Sequence, residues 1–196
     1  MTETLSTAAE EGKKQIAITF DDGPNPEYTM KLLEGLKKRG VKATFFVLGE
    51  EVERYPDILK AAYDDGHLIG VHSYQHVNFG QIGDAAALEQ VEKTRQAIYD
   101  VTGEYTGYIR PPYGCWKKEL DQELPMIEVL WDIDPLDWAT KDADTVVQRV
   151  LQKCPDGSII LLHDASESSV CAAFTIIDTL QKQGYEFVTV EELMLE

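Results

Sequence analysis

The stretch QIAITFDDGP, residues 15–24, joins an apolar run to a polar turn. Its first half is rich in apolar and β-branched residues, which is typical of a buried strand. The run ends at the adjacent acids Asp21 and Asp22, and a Gly-Pro pair of the kind that favours turns follows. Because neighbouring carboxylates repel each other, the pair favours a bound cation or separate roles in proton transfer. We therefore predict a strand whose carboxyl end carries functional acids, although an isolated DDGP segment can also be a plain turn.

Similar apolar runs alternate with amphipathic helical patterns along the whole chain. Strands are predicted at residues 15–20, 43–48, 68–71, 105–109, 127–131, 158–162 and 187–190. Helices are predicted at residues 27–39, 56–64, 84–101, 117–123, 143–153 and 169–183. Glycines that suit a left-handed helix cap follow three of these helices, at Gly40, Gly66 and Gly184. The alternation predicts an α/β fold with a parallel sheet or barrel, as one domain over residues 13–196 after a linker-like lead at residues 1–12.

The charge balance limits the classes of partner. Among 196 residues, 18 are Lys or Arg and 35 are Asp or Glu, for a net charge of −17. This charge disfavours nucleic acid, whose recognition needs a basic surface, and it disfavours anionic membranes. The three scattered cysteines include no CxxC pair, so neither a disulfide framework nor a thiolate zinc site is predicted. We expect a neutral or cationic substrate and a monomeric protein.

The start of the chain bears on location. Residues 1–12 are polar and acidic and lack the apolar core of a signal peptide. No apolar run is long enough to span a bilayer, so no membrane insertion is expected. As written, the sequence predicts a cytoplasmic protein; if an export signal had been removed, the location would be the cell envelope or the exterior.

Residues that can do chemistry cluster at the ends of predicted strands. Five such groups are Asp21 with Asp22, His72 with His76, Arg110, Asp134 with Asp137, and His163 with Asp164. The carboxyl ends of parallel strands meet at one edge of the sheet, where α/β proteins place their active sites. We therefore expect these groups to converge on one rim.

His72 and His76 are candidates for metal ligands. If residues 72–76 are helical, the i, i+4 spacing places both imidazoles on one face, although solvated helix faces also produce HxxxH. Asp22 would complete a carboxylate and two-histidine set with open coordination positions, which is typical of a catalytic Zn²⁺ site. Because adjacent side chains on extended backbone point to opposite faces, Asp21 would be left to reach a bound water. His67, in a turn, is interpreted as structural or solvated.

The remaining groups suggest substrate binding and proton transfer. Arg110, before two prolines, could hold a carboxylate in a forked pair, and the Tyr113 N–H could face an oxyanion; the alternative is a plain loop. Asp137 could orient a histidine, and Trp138 could line an acyl pocket or simply pack in the core. His163, after a buried strand, could protonate an amide leaving group or be structural.

Together these segments resemble the polysaccharide deacetylases of the NodB-homology type, carbohydrate esterase family 4. The likeness extends over about residues 14–195. Five motifs carry it in order: TFDDGP at 19–24, HSxxH at 72–76, RPPYG at 110–114, DxxDW at 134–138 and LLH at 161–163. The resemblance implies a distorted (β/α) barrel with about seven parallel strands.

The resemblance also implies a role for each motif residue. It implies divalent-metal ligands at Asp22, His72 and His76, with Zn²⁺ favoured and Co²⁺, Ni²⁺ or Mn²⁺ as alternatives. It implies proton-transfer roles for Asp21 as base and His163 as acid, oriented by Arg110 and Asp137. It implies an oxyanion hole at the Tyr113 N–H and an acetyl pocket lined by Trp138 and Leu161.

The sequence therefore predicts a metal-dependent hydrolase that removes N-acetyl groups from N-acetylglucosamine units of chitin or peptidoglycan type. An acetyl xylan O-deacetylase remains an alternative, because the same water, metal and acid would serve an ester. A non-catalytic, metal-bearing glycan-binding domain is another. A phosphoester hydrolase is disfavoured by the net charge of −17.

Overall fold

A computed structural model describes residues 13–195; the predicted lead at residues 1–12 lies outside them. All the strands belong to one sheet: β1 (Lys14–Asp21), β2 (Thr44–Val47), β3 (Leu68–Val71), β4 (Tyr108–Ile109), β5 (Ile127–Glu128), β6 (Ser158–His163) and β7 (Tyr185–Val188). The α-helices are α1 (Thr29–Arg39), α2 (Gly49–Arg54), α3 (Pro56–Asp64), α4 (Asp84–Thr102), α5 (Ala143–Gln152), α6 (Glu167–Lys182) and α7 (Val190–Met194). Short 3-10 helices cover Phe79–Gln81, Pro112–Gly114 and Lys118–Gln122. Within this described part, no helix is both long and apolar enough to cross a membrane.

The sheet is parallel and curled. The strand order is β5-β4-β3-β2-β1-β6. The seventh strand, β7, pairs with the first half of β1, on the side of β1 opposite β6; on that same side, β2 pairs with the second half of β1. A bridge between Ile133 and Ile160 brings the segment after β5 onto β6, which curls the sheet toward closure. The predicted α/β fold, a distorted barrel with seven parallel strands, is confirmed.

The two faces of β1 explain how the barrel is filled. One face packs into the main hydrophobic core with the helices, through Ile16, Ile18 and Phe20. The other face lies inside the curl and carries Ala17, Thr19 and Asp21. This alternation is the two-residue period of an extended strand. Asp21 is thus directed into the barrel mouth by the same pattern that buries its neighbours.

Several predicted boundaries are wrong. β4 and β5 have only two residues each, because the chain leaves the sheet for loops on either side of them. Residues 117–123 form a 3-10 helix over Lys118–Gln122 instead of an α-helix. The seventh strand ends at Val188, since Thr189 caps α7 in a capping box with Glu192. The sequence analysis missed α2, which at six residues is too short to show a helical period.

The predicted glycine caps are found. Gly40, Gly66 and Gly184 have φ values of 64°, 80° and 89°, the left-handed region that favours glycine. Gly40 is the cap residue of α1, and its N–H donates to the carbonyl of Lys37 at 3.1 Å. These turns return the chain from a helix to the next strand and keep the strands in register.

Candidate active site

Asp21 and Asp22 open into the same pocket. Asp21 is the last residue of β1, with only 2% of its surface exposed, whereas Asp22 follows with φ of 74°. The expectation that extended backbone sends the two carboxylates to opposite faces is therefore wrong. The left-handed turn at Asp22 breaks the strand alternation, so both side chains line one cavity.

A buried arginine holds Asp21. Arg110 is fully buried, and its Nη1 donates to Asp21 Oδ1 at 2.8 Å and to Thr19 Oγ1 at 2.6 Å. Its remaining nitrogens donate to the carbonyls of Val129 and Leu130 at 3.0 and 2.9 Å. The forked pair with one carboxylate is therefore not formed, because the other branch of the guanidinium binds backbone. Burial raises the pKa of Asp21, and the positive charge of Arg110 opposes that rise.

His72 and His76 meet through a tight turn rather than a helix. After β3 the chain bends, and Ser73 and His76 have φ values of 82° and 54°, which no α-helix accommodates. The turn is held from outside, since the N–H groups of Tyr74 and Gln75 both donate to Oε1 of Gln90 on α4. The helical premise for the HxxxH spacing is wrong. The two rings nevertheless lie 5.2 Å apart, centroid to centroid.

These histidines and Asp22 form a cluster that suits a metal ion. Asp22 Oδ1 lies 3.4 Å from His72 Nε2 and 3.5 Å from His76 Nε2. His72 Nδ1 lies 2.6 Å from the carbonyl oxygen of Arg110, so it carries the proton and leaves Nε2 with a lone pair. Burial lowers the pKa of His72 to about 3, which keeps the ring neutral. Within residues 13–195, the buried Asp22 Oδ1 has no hydrogen-bond partner. This is expected of a carboxylate oxygen that coordinates a cation.

His163 and Asp137 form a second charged pair. His163 ends β6, and its Nδ1 lies 2.8 Å from Asp137 Oδ1, while its backbone N–H donates to Asp137 Oδ2 at 2.8 Å. Burial by itself would lower the pKa of His163, but the hydrogen bond and charge of Asp137, with Asp21 and Asp22, raise it to about 9. The ring is therefore protonated at neutral pH, with Nε2 toward Asp22 Oδ2 at 4.0 Å.

Apart from Arg110 and Asp137, which hold Asp21 and His163 from behind, these groups line one cavity of about 420 Å³. Its lining is formed by Asp21, Asp22, His72, His76, Tyr113, Trp131, Asp134, Trp138, Leu161 and His163. Tyr113 adopts φ of 61° and packs edge-on against His76 at 4.9 Å. Trp138 lies on the rim and is 67% exposed, so it is a pocket wall and not core. The structure thus brings all ten predicted site residues into or directly behind one pocket.

Two contributors were missed by the sequence analysis. Trp131 lines the pocket and was assigned only as the end of a predicted strand. Thr19 accepts from Arg110 beneath Asp21, and its hydroxyl donates to the carbonyl of Ile160 at 2.7 Å. The role of Thr19 could have been predicted from the two-residue period of β1, because Thr19 and Asp21 are two residues apart and therefore lie on the same face. Asp164, in contrast, lies outside the pocket, buried behind the Asp22 turn, and accepts from the Thr29 hydroxyl.

Comparison with known proteins identifies the family. The family model described as polysaccharide deacetylase matches residues 8–128. The chain belongs to the polysaccharide deacetylases of carbohydrate esterase family 4. It is 39% identical over 180 residues to the Listeria monocytogenes peptidoglycan-N-acetylglucosamine deacetylase PgdA, covering 92% of this chain and 39% of that protein. It is 41% identical over 195 residues to the Bacillus subtilis peptidoglycan-N-acetylmuramic acid deacetylase PdaC, covering 97% of this chain and 42% of that protein.

Solved structures of polysaccharide deacetylases share the fold. The PdaC structure superposes with a TM-score of 0.91 at 42% identity, covering 93% of this chain and 91% of that one. A Bacillus anthracis protein described as a family CE4 pseudoenzyme gives a TM-score of 0.86 at 31% identity, covering 93% and 66%. The chain spans about two fifths of the length of the curated relatives PgdA and PdaC. Because one neighbour with this fold is described as a pseudoenzyme, turnover depends on the residues of the site and not on the fold alone.

Proposed function

We propose that this protein is a metal-dependent deacetylase that hydrolyses the N-acetyl group of N-acetylglucosamine units in a glycan. One observation carries the proposal: a buried acid and a protonated histidine both border the Asp22, His72 and His76 cluster in one pocket. Asp21 Oδ2 lies 3.8 Å from His72 Nε2, and His163 Nε2 lies 4.0 Å from Asp22 Oδ2. A site that only bound glycan would have no use for this arrangement of a base and an acid.

Asp22, His72 and His76 would hold the cation, through one carboxylate oxygen and two Nε2 atoms that lie within 4.8 Å of one another. One oxygen and two imidazole ligands suit Zn²⁺ or a similar divalent ion and leave coordination positions open. When bound, such a cation would lower the pKa of water from about 15.7 toward about 7 and polarise the acetyl carbonyl.

Two residues of the pocket, Asp21 and His163, carry out the two proton transfers. Asp21 accepts the proton of the attacking water at Oδ2, since its Oδ1 accepts from Arg110. Its buried position and raised pKa make it a better base than an exposed carboxylate. His163 donates its Nε2 proton to the departing amine, because its Nδ1 proton is held by Asp137. The Tyr113 N–H donates to the developing oxyanion, a contribution that is typically worth about 10²–10³ in rate.

The pocket walls suit an acetyl group on an uncharged sugar. Trp131, Trp138 and Leu161 provide apolar surface for the acetyl methyl. No lysine or arginine of the described chain lines the pocket, and the guanidinium of Arg110 is bonded behind it. A sugar with a carboxylate beside the acetamide, such as the lactyl group of N-acetylmuramic acid, would find the acid Asp134 in this lining and no lysine or arginine to pair with. We therefore favour N-acetylglucosamine over N-acetylmuramic acid as the reacting unit.

An acetate-release screen tests this proposal. The substrates are N-acetylglucosamine oligomers, peptidoglycan fragments and acetylated xylan, each assayed after chelation and after return of Zn²⁺ or Co²⁺. We expect acetate from the N-acetylglucosamine oligomers, loss of activity with chelator and recovery with metal. The Asp21→Asn variant is the matched control, since it keeps the shape of the side chain. Release from xylan alone would point to an O-deacetylase, and no release by a metal-loaded, folded protein would overturn the proposal.

A further inference from the structure

A second cavity lies at the opposite end of the barrel from the catalytic pocket. It has a volume of about 210 Å³ and is bordered by the first residues of β3 and β4, Leu68 and Tyr108. The amino ends of parallel strands lie at the edge of the sheet away from the active site. Pockets for drug-sized ligands begin at about 300 Å³, so this cavity suits a ligand of one ring.

A buried histidine in the cavity wall has a donor with no protein partner. His67 is 5% exposed, and its Nδ1 accepts from the backbone N–H of Ala43 at 3.1 Å. The proton is therefore on Nε2, for which residues 13–195 supply no partner. Burial lowers the pKa of His67 to about 4, so the ring is neutral. Because a buried donor left without an acceptor is destabilising, Nε2 is a candidate contact for an acceptor within the cavity.

Two tyrosine–carboxylate pairs line the same cavity. The Tyr108 hydroxyl donates to Glu191 Oε1 at 3.0 Å, and the Glu104 carboxylate lies close enough to the Tyr63 hydroxyl to raise its pKa. Each carboxylate keeps lone pairs for further donors, because a phenol supplies only one. The two negative charges disfavour an anionic ligand. The complementary ligand is one with several hydroxyl or ammonium donors, at least one acceptor and apolar faces.

An exposed aromatic stack adjoins the cavity. The rings of Tyr99 and Tyr105 stack at 4.4 Å with an interplanar angle of 18°, and they are 39% and 54% exposed. Tyr105 also lines the cavity. Arg95 lies over the Tyr105 ring at 5.3 Å, and the Tyr105 hydroxyl donates to Gln96 Oε1 at 3.1 Å, so the ring is held in place. Because Tyr99 and Arg95 lie against the ring, the exposed part of Tyr105 offers apolar packing surface beside the cavity rather than an open ring face.

We propose that this cavity is a second saccharide site, which binds one neutral or amine-bearing pyranose of a glycan and packs the next against the exposed part of Tyr105. The choice of glycan rests on the proposed function, because the ligand is taken to be the acetylated substrate or its deacetylated product. Sugar hydroxyls or an ammonium group donate to Glu104 and Glu191, and a ring or acetyl oxygen accepts from His67 Nε2. Such a site would hold a long glycan on the protein while the catalytic pocket acts on a different segment.

Binding is measured with the full chain carrying Asp21→Asn, so that turnover does not consume the probe. The probe is the N-acetylglucosamine tetramer, followed by amide chemical shifts in a two-dimensional NMR titration. We expect shifts at two separate places, around Tyr105 to Gly107 and around the catalytic pocket. Adding Tyr105→Ala should weaken the Kd of this site about tenfold or more, so that the first set of shifts disappears at the same tetramer concentration while the second set is unchanged. Met194→Ala, an exposed apolar change on α7, is the control and should keep both sets.

Activity gives a second, independent measurement in the chain with Asp21 intact. Tyr105→Ala should leave kcat/KM for the tetramer unchanged and slow deacetylation of an insoluble polymer several-fold relative to Met194→Ala. Absence of shifts near Tyr105 up to the solubility limit, or shifts that survive Tyr105→Ala, would overturn the second site. A polyuronic acid oligomer that binds there as well as the tetramer would also overturn it. Failure of acetate release with the Tyr105 shifts intact would instead remove the proposed function and leave the saccharide site standing.

Discussion

His72 donates from Nδ1 to the backbone carbonyl of Arg110, across 2.6 Å. This bond joins two segments 38 residues apart and determines which nitrogen of His72 faces Asp22. The guanidinium of Arg110 meanwhile fixes Asp21. One residue therefore orients both the candidate metal ligand and the candidate base, the first through its backbone and the second through its side chain.

Asp21→Asn should remove turnover and retain metal. The amide keeps an oxygen to accept from Arg110 but cannot take a proton from water, and loss of a general base typically costs about 10²–10⁴ in rate. Acetate release and Zn²⁺ titration by calorimetry measure the two effects. A folded variant with near-normal activity would remove Asp21 from the mechanism.

Arg110→Ala should destabilise the fold strongly. The change leaves Asp21 buried without its counter-ion and removes the donors to Thr19, Val129 and Leu130. Breaking a buried ion pair by deleting one partner costs about 3–5 kcal/mol. Urea unfolding gives the change in the free energy of unfolding. Lys31→Ala, which removes an exposed ion pair with Glu167, is the control and should leave the free energy of unfolding nearly unchanged.

His163 should make stability depend on pH in the metal-free protein. Its pKa in the fold is raised from 6.5 to about 9, against the opposing effect of burial, by Asp137 and the neighbouring carboxylates. Because the pKa is higher in the folded state, protonated His163 stabilises the fold. This stabilisation is fully present below about pH 6.5 and is lost as the pH rises through about 9. Thermal unfolding with chelator at pH 6 and pH 9 tests this. His163→Gln should flatten the difference between the two pH values, and an unchanged difference would contradict the assignment.

Asp137→Asn should shift the pH–rate profile rather than only lower it. Without the Asp137 charge the pKa of His163 falls, so the protonated acid is lost at a lower pH. The alkaline limb of kcat should therefore move toward neutral pH. A profile of unchanged shape with reduced height would indicate a purely structural role for Asp137.

His76→Ala should weaken metal binding and leave the fold intact. The His76 side chain is 32% exposed, while that of His72 is 4% exposed, so removal of His76 disturbs the core less. Wild-type protein should gain about 2.7 kcal/mol of stability when free Zn²⁺ is a hundredfold above Kd. His76→Ala should lose most of that gain at the same Zn²⁺ concentration. Unfolding curves with and without Zn²⁺ measure it, and an equal gain in both proteins would exclude His76 as a ligand.

Gly23→Ala should destabilise the turn that carries Asp22. A Cβ at Gly23 would lie 2.6 Å from Asp164 Oδ2 and 2.9 Å from Oδ1, inside contact distance. Overpacking of this kind costs about 1–3 kcal/mol. Because Asp164 is the colliding group, Gly23→Ala combined with Asp164→Ala should be less destabilised than the sum of the single changes. Additive effects in this double-mutant cycle would mean that the two positions are independent.

Most of the strands and helices, and most of the residues of the site, could be predicted from the sequence. Strands such as β1 are visible because burial on both faces produces a continuous apolar run, and acids at its end stand out against that run. The five motifs include the three residues of the candidate metal cluster together with Asp21 and His163 beside it, whereas Trp131 of the pocket lining lies outside them. The short elements β4, β5 and α2 were missed or given wrong bounds. They contain too few residues to show a hydrophobic period and form only through contacts with neighbouring elements.

The sequence motifs at the strand ends thus determined most of the residues that belong to the site. Only the tertiary structure decided the distances and hydrogen bonds between their side chains. The turns at Asp22 and His76 have positive φ, a conformation that their residue types do not require and that the surrounding contacts impose. The pairing of one branch of Arg110 with Asp21 and of the other with backbone likewise depends on strands distant in sequence. Periodicity reports the environment of each residue separately, whereas the distance between two side chains depends on the packing of every element between them.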